Sequence, residues 1–210
     1  MVAVAAGSFD FAGKPVQVGA HCLDRTEVTV AAYARCVEAG KCSEAHDAKG
    51  EDHADCNWKE KGREQHPINC VDHAQAVAYC AFRGARLPTE TEWEWSARGY
   101  DKGTTFPWGD EPIAARACWG GPGSAVGEDH EGTCPVGAYP TGDNPNGIHD
   151  LAGNVWEWTS TPGSAKGTFI DRGGCWLNAV ASRLRATDRN DVPAIQQSPT
   201  LGLRCAAAAR

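Results

Sequence analysis

Ten cysteines constrain this chain more than any other feature: they stand at positions 22, 36, 42, 56, 70, 80, 118, 134, 175 and 205 of 210 residues. No two are separated by only two residues, so the knuckles that hold structural zinc are missing. An even number spread along the whole chain suits disulfides formed in an oxidising compartment. The other reading is a set of buried free thiols packed as small hydrophobes. Cross-links relieve a chain of the need for long regular elements, and 24 glycines and 12 prolines predict many loops and turns.

The length fits one domain with a real core. A net charge of −7 with no basic run argues against nucleic-acid partners. No apolar stretch approaches the roughly 20 residues that span a membrane. Met1 to Val4 is too short for a leader and reads as a first strand, so a trimmed secreted precursor, or a longer parent chain, is expected. Eight tryptophans are expected mostly to staple loops in the core, with some lining a groove.

Local patterns predict the elements. Val2–Val4 and Val16–Val18 read as short strands around a glycine-rich turn. Thr29 reads as the N-cap of a helix that carries Ala32, Tyr33, Cys36 and Val37 on one face and ends at Gly40. Residues 41–66, polar apart from Trp58, read as an inserted loop holding two cysteines. Asp72 with Gln75 forms a capping box for a second helix, whose apolar positions are Ala74, Val77, Ala78 and Ala81 and whose stop is Gly84. Thr89 with Glu92 opens a third, with Trp93 and Ala97 as its apolar face and Gly99 as its end. Beyond Gly99 the chain reads as loops and short strands, including Trp156–Thr159 and Gly202–Cys205. The class is therefore α+β with high loop content.

Several segments occur together in an order that resembles one family. They are Asp24-Arg-Thr-Glu-Val-Thr29, His66-Pro-Ile-Asn-Cys-Val71, Arg86-Leu-Pro-Thr-Glu90 with Glu92-Trp-Glu-Trp95, and Phe106-Pro-Trp-Gly-Asp110. Further on come Asp150-Leu-Ala-Gly-Asn-Val-Trp-Glu-Trp158, Arg172-Gly-Gly174 and Leu201-Gly-Leu-Arg-Cys205. The chain resembles the formylglycine-generating (sulfatase-modifying) superfamily. The resemblance implies a C-type-lectin-like α+β fold over 1–210 as a single domain, with several disulfides. That superfamily holds enzymes and non-catalytic ligand binders alike, so membership fixes fold better than function.

The enzyme of the family resembles a copper oxidase whose two thiolates follow the "RGGS" segment, soft ligands suited to Cu(I). Here the only cysteine of that stretch is Cys175, which falls on the family's serine, and the two thiolate positions fall near Asn178 and Arg183. No catalytic residue is therefore assigned. Cys175 is a weak candidate for a lone redox role beside Arg172 and Arg183, and is favoured as half of a disulfide. His21, His46, His53, His66, His73, His130 and His149 are scattered without an iron-binding spacing. His66 reads as a hydrogen-bonding core or cap residue and His149 as a surface residue.

The resemblance also implies calcium. One structural site would take the carboxylates of Asp150 and Glu157 and the carbonyls of Gly153 and Val155, hard oxygens of the kind calcium prefers. A purely structural turn is the other reading. A second family site is expected to be lost, because Cys118 stands where a ligand should be, near the acidic residues Glu128, Asp129 and Glu131. A Cys118–Cys134 bridge would close the same loop covalently. The family further implies a Cys80–Cys205 bridge, and the sparse apolar content of the inserted loop suggests a local Cys42–Cys56 bridge. The partners of Cys22, Cys36, Cys70 and Cys175 stay open.

The leading functional expectation is a non-catalytic, extracytoplasmic module that binds a protein, peptide or glycan. Its ligand face would lie between "RGG" and "GLR". Trp176, Asn178, Ser182 and Arg183 fall there, as do Arg185, Thr187, Arg189 and Asn190, and aromatics and arginines make binding hot spots. The arginines would alternatively only solvate a face. The competing expectation is an oxygen-dependent oxidoreductase with a remodelled site, marked by two free thiols and bound redox metal. An accessory domain of a larger anchored protein is a third.

Overall fold

Side chains three residues apart set where each helix starts. The computed structural model describes residues 1–47, 55–125 and 132–209. Thr29 caps α1 (Val30–Glu38), its hydroxyl accepting from the Ala32 amide at 3.1 Å. Asp72 and Gln75 form a reciprocal box at α2 (His73–Phe82), as do Thr89 and Glu92 at α3 (Glu90–Ala97). Such a cap contributes about 1 kcal/mol, enough to fix the start of a helix of two or three turns.

The strands form three small sheets. β1 (Val2–Val4), β4 (His21–Leu23) and β9 (Ala206–Ala208) make an antiparallel sheet in the order β1-β4-β9, so the first and last strands of the chain flank β4 in one sheet. β2 (Gly7–Phe11) and β3 (Lys14–Val18) form a hairpin. The expected strand at Val16–Val18 thus pairs with Gly7–Phe11 rather than with Val2–Val4. The third sheet has the order β7-β6-β5-β8, built from β5 (Trp156–Pro162), β6 (Thr168–Arg172), β7 (Arg189–Pro193) and β8 (Leu201–Gly202). Only the β5–β8 pair of this sheet is parallel.

The indoles are core, as expected: seven of the eight tryptophans are buried and Trp108 is partly so. One cluster gathers Tyr33, Tyr79, Ile68, Trp158 and Leu203, and a second gathers Trp93, Trp95, Ile148 and Leu151.

The buried face of α2 corrects the sequence reading. The helix buries His73, Ala76, Tyr79 and Cys80, whereas Val77 is 44% exposed. With alanines all round the helix, apolar spacing has little power to choose a face. Tyr79, stacked on Tyr33, and the Cys80 bridge choose it.

Four disulfides form: Cys36–Cys42, Cys56–Cys70, Cys80–Cys205 and Cys118–Cys134. The last two match expectation. The expected Cys42–Cys56 bridge does not form. Cys36 sits on the buried face in the last turn of α1, the chain reverses at Gly40, and the Cys42 amide comes back to donate to the Cys36 carbonyl at 3.3 Å. Cys56 is drawn instead to Cys70, in a segment where Asn69 Oδ1 accepts from the Asn57 amide at 2.7 Å. The loop is thus tethered at both ends to the flanking elements and is not closed on itself. The disulfide expected of Cys175 does not form either: Cys22 and Cys175 are free.

Among the histidines, His66 is buried and bonds Thr133 at 2.9 Å, as expected. His149 is not a plain surface residue: it is partly buried and bonds Asp143 at 2.7 Å. His53, His130, Glu128, Asp129 and Glu131 lie outside the described residues.

Candidate functional site

The stretch after β6 is shaped by two successive glycines in the left-handed region. Gly173 has φ +109° and Gly174 φ +78°, and a Cβ on Gly174 would stand 2.7 Å from the Arg183 carbonyl oxygen. Only glycine lets the two segments approach so closely. Arg172, fully buried at the end of β6, donates to the carbonyls of Thr187 and Asp188 at 3.0 and 2.7 Å and pairs with Glu94. These contacts bring the single helical turn at Ala181–Leu184 and the start of β7 over the end of β6.

Asn178 and Arg183, near which the thiolate positions were expected, make other contacts. The Arg183 guanidinium lies 4.9 Å from the centre of the Trp156 ring, donates to Asn190 Oδ1 at 2.6 Å and pairs with Asp188 at 2.9 Å. Asn190 in turn donates to Asp171 at 2.9 Å. Burial pushes the Asp171 carboxyl up to about 6, against the hydrogen bonds from Asn190. Asn178 Oδ1 accepts from the Cys175 amide at 2.9 Å and from its thiol at 3.5 Å. Cys175 is a buried thiol, not half of a disulfide, and burial pushes it up to about 11. A thiol of that kind is a poor nucleophile and a poor redox centre at neutral pH. The other free cysteine, Cys22, lies on β4 between β1 and β9, away from this sheet, so the two do not form a thiolate pair.

The structure sorts the residues of the expected ligand face. Trp176 is buried and donates to the Pro199 carbonyl at 3.3 Å. Asn178, Arg183 and Asn190 are engaged as above. Arg189, half-exposed, pairs with Glu90 at 2.7 Å. Ser182, Arg185 and Thr187 face solvent. Beside them stand two apolar side chains that the sequence reading passed over, Leu177 at 62% and Val180 at 61% exposure.

Of the residues expected around calcium, Asp150 and Glu157 are buried near each other and near Glu27. Gly153, at φ +87°, packs so closely on Cys118 that a Cβ would meet its carbonyl oxygen at 2.4 Å. Asp150 accepts from the Gly137 amide at 2.6 Å. Glu157 is fully buried, and both its oxygens are taken: Arg204 Nε and Trp93 Nε1 donate to Oε2 at 2.6 and 2.7 Å, and Arg204 Nη2 donates to Oε1 at 2.7 Å. Glu27 comes from the segment before α1. Its Oε1 accepts from Asn154 at 2.9 Å, and its buried Oε2 has no hydrogen-bond donor among the described residues. Burial, then the Asp150 charge, holds the Glu27 carboxyl well above the ordinary range. Burial likewise raises Asp150 and Glu157. Three buried carboxylates thus share one guanidinium. That excess of negative oxygen fits a hard cation, although among the described residues no three acidic, histidine or cysteine side chains chelate a single point. The motif that holds Glu27 was legible, but nothing in it distinguished an interior carboxylate from a surface one.

Residues 1–209 match the sequence profile of the sulfatase-modifying factor enzyme 1-like domain. The chain is 39% identical over 153 residues to the inactive C-alpha-formylglycine-generating enzyme 2 of Bos taurus, covering 68% of this chain and 50% of that protein. It is 37% identical over 169 residues to the formylglycine-generating enzyme of Mus musculus, covering 69% and 45% respectively. The chain therefore spans about half the length of the curated relatives it matches. Among solved structures, Treponema denticola variable protein 1 superposes with a TM-score of 0.77 at 19% identity, covering 100% of this chain and 95% of that one. This likeness shows the fold, which is C-type-lectin-like.

Proposed function

This chain belongs to the sulfatase-modifying factor enzyme 1-like family of formylglycine-generating proteins, and from that premise we propose that it is a non-catalytic ligand-binding member working outside the cytoplasm. One observation carries the reading. Where the enzyme of the family needs two thiolates, this chain has Asn178 and Arg183, and Arg183 is closed down on Trp156 by a ring contact, a hydrogen bond and an ion pair. The one cysteine at hand, Cys175, is a buried, protonated thiol. Softness for Cu(I) is absent from such a donor set.

The outward side of the same stretch offers binding chemistry instead. Leu177 and Val180 expose apolar surface beside Arg185, Ser182 and Thr187, on a backbone pinned by Arg172. Such a face suits a protein, peptide or glycan. Four disulfides support an oxidising environment, and no described helix is long and apolar enough to cross a membrane. One structural calcium belongs to the same reading: with no catalytic ion, its role would be to neutralise the carboxylates around Asp150 and brace the loop at Gly153 and Val155.

The competing reading, an oxygen-dependent oxidoreductase, draws on the two free thiols, but Cys22 lies on β4 and Cys175 in the loop after β6. Metal content and oxygen uptake separate the two. The purified chain is expected to hold no copper or iron and to consume no oxygen with a cysteine-containing peptide, and to bind ligands on a peptide and glycan array through a face weakened by Leu177→Asp. Stoichiometric copper with peptide-dependent oxygen uptake would overturn the proposal.

A further inference from the structure

We propose that the outer face of α2 is the contact between two copies of this chain, paired end for end about a two-fold axis near Val77. The proposal draws on neither the ligand-binding nor the calcium reading.

The sequence of α2 holds no Asp, Glu, Lys or Arg. Its inner side is taken by His73, Ala76, Tyr79 and Cys80. Its outer side is apolar as well: Ala74, Val77, Ala81 and Phe82 are exposed, Val77 at 44% and Phe82 at 40%. A surface helix ordinarily turns charged side chains away from the core, and a helix apolar all round is ordinarily buried. The apolar stripe is longer than the helix. At its N-terminal end the His73 amide donates to the Ala194 carbonyl at 3.0 Å, which sets Ile195, 85% exposed, beside the first turn. At its C-terminal end Ala78, Ala81 and Phe82, with Lys41, line a shallow depression of about 460 Å³.

Charge complementarity decides what covers the stripe. Residues 41–44 run alongside α2. Lys41 shares the depression at Phe82, while the Gln75 side chain donates to the Glu44 carbonyl at 2.8 Å and to Ser43 Oγ at 3.0 Å. A positive group thus stands by the last turn and a negative one by the first. Lys41 forms no ion pair among the described residues, and Glu44 pairs only with Lys59, both side chains more than half exposed. Turned end for end, a second copy brings its Glu44 to Lys41, its Ile195 to Phe82 and its Val77 to Val77. It also sets the two helix dipoles head to tail. A partner bearing one sign of charge would match only one end of the stripe. A helix of this length extends about 15 Å, so the contact is small and the pair forms only at high concentration.

Sedimentation velocity on the chain, from about 10 µM to about 1 mM, reads the association. The wild type is expected to pass from monomer toward dimer across that range. Val77→Asp sets two like charges at the axis and takes two valines out of the contact, and should weaken the dimer by about 100-fold. Because Val77 is exposed in the single copy, this variant should melt close to the wild type. Lys41→Glu and Glu44→Lys should each weaken the dimer by about 5-fold, and the two together should restore it. Should Val77→Asp not fold, Val77→Cys in a Cys22→Ser background is expected to give a dimer joined through residue 77 on mild oxidation. A wild type still monomeric at about 1 mM would overturn the proposal. So would a dimer that survives Val77→Asp, a double charge exchange no better than either single one, or a Val77→Cys chain that does not cross-link.

Discussion

The guanidinium of Arg183 lies 4.9 Å from the centre of the Trp156 ring, and its donor reaches Asn190 Oδ1 at 2.6 Å. One long side chain so joins the end of the Ala181–Leu184 turn to β5 and β7. Its removal should both destabilise and open the site. Arg183→Ala is expected to cost about 2 kcal/mol, mostly from the ring contact and the Asn190 bond, because the Asp188 pair is partly solvated. In a Cys22→Ser background the same change should speed the reaction of Cys175 with a small thiol reagent. An unchanged rate would show that Arg183 does not cover Cys175.

The two free thiols should differ sharply. Cys22 is partly exposed, while Cys175 is buried and pushed up to about 11. Iodoacetamide at pH 8 is expected to modify Cys22 in the native protein and Cys175 only after unfolding. Non-reducing peptide mapping should return the four observed bridges. Of these, Cys80–Cys205 closes 125 residues and contributes about 5 kcal/mol in the chain-entropy model.

Asp171 should leave a signature in the pH dependence of stability. Its carboxyl, ordinarily near 3.8, is pushed up to about 6 by burial. The folded state then binds a proton that the unfolded chain has released, so this contribution is full below about pH 4 and is lost as pH rises through about 6. Between pH 4 and 7, Asp171→Asn is expected to gain about 3 kcal/mol relative to wild type, because the asparagine does not ionise. Urea titrations across that range give the difference directly, and parallel curves for the two proteins would refute it.

Arg204 reaches both oxygens of Glu157 and also donates to the carbonyls of Asp24, His149 and Asp150. Both side chains of the pair are fully buried. Breaking such a pair leaves a charge without compensation, so Arg204→Met is expected to destabilise the domain by about 3–5 kcal/mol. Changing both partners, Glu157→Gln with Arg204→Met, should recover part of that loss in equilibrium unfolding. A double variant no more stable than Arg204→Met would show that the donations to main-chain carbonyls, and not the ion pair, carry the effect.

What the sequence determined by itself was local or carried by ordered motifs. Thr29, Asp72 with Gln75, and Thr89 with Glu92 start their helices as expected, because a cap is decided by atoms three residues apart. The ordered motifs implied the fold and the Cys80–Cys205 bridge, and a departure from them, Cys118 in place of a calcium ligand, suggested Cys118–Cys134. The tertiary structure alone decided the rest. The face that α2 buries follows from Tyr79 and Cys80 meeting partners far along the chain, not from an apolar stripe. The Cys36–Cys42 bridge depends on the reversal at Gly40, and Cys56–Cys70 on the path that carries Cys56 away from Cys42. Glu27 and Asn154 lie 127 residues apart and touch only because the end of the chain pins the segment before α1 beside the loop at Asp150. Burial of a charged group is a property of everything packed around it, and residue spacing along one strand of chain does not contain that information.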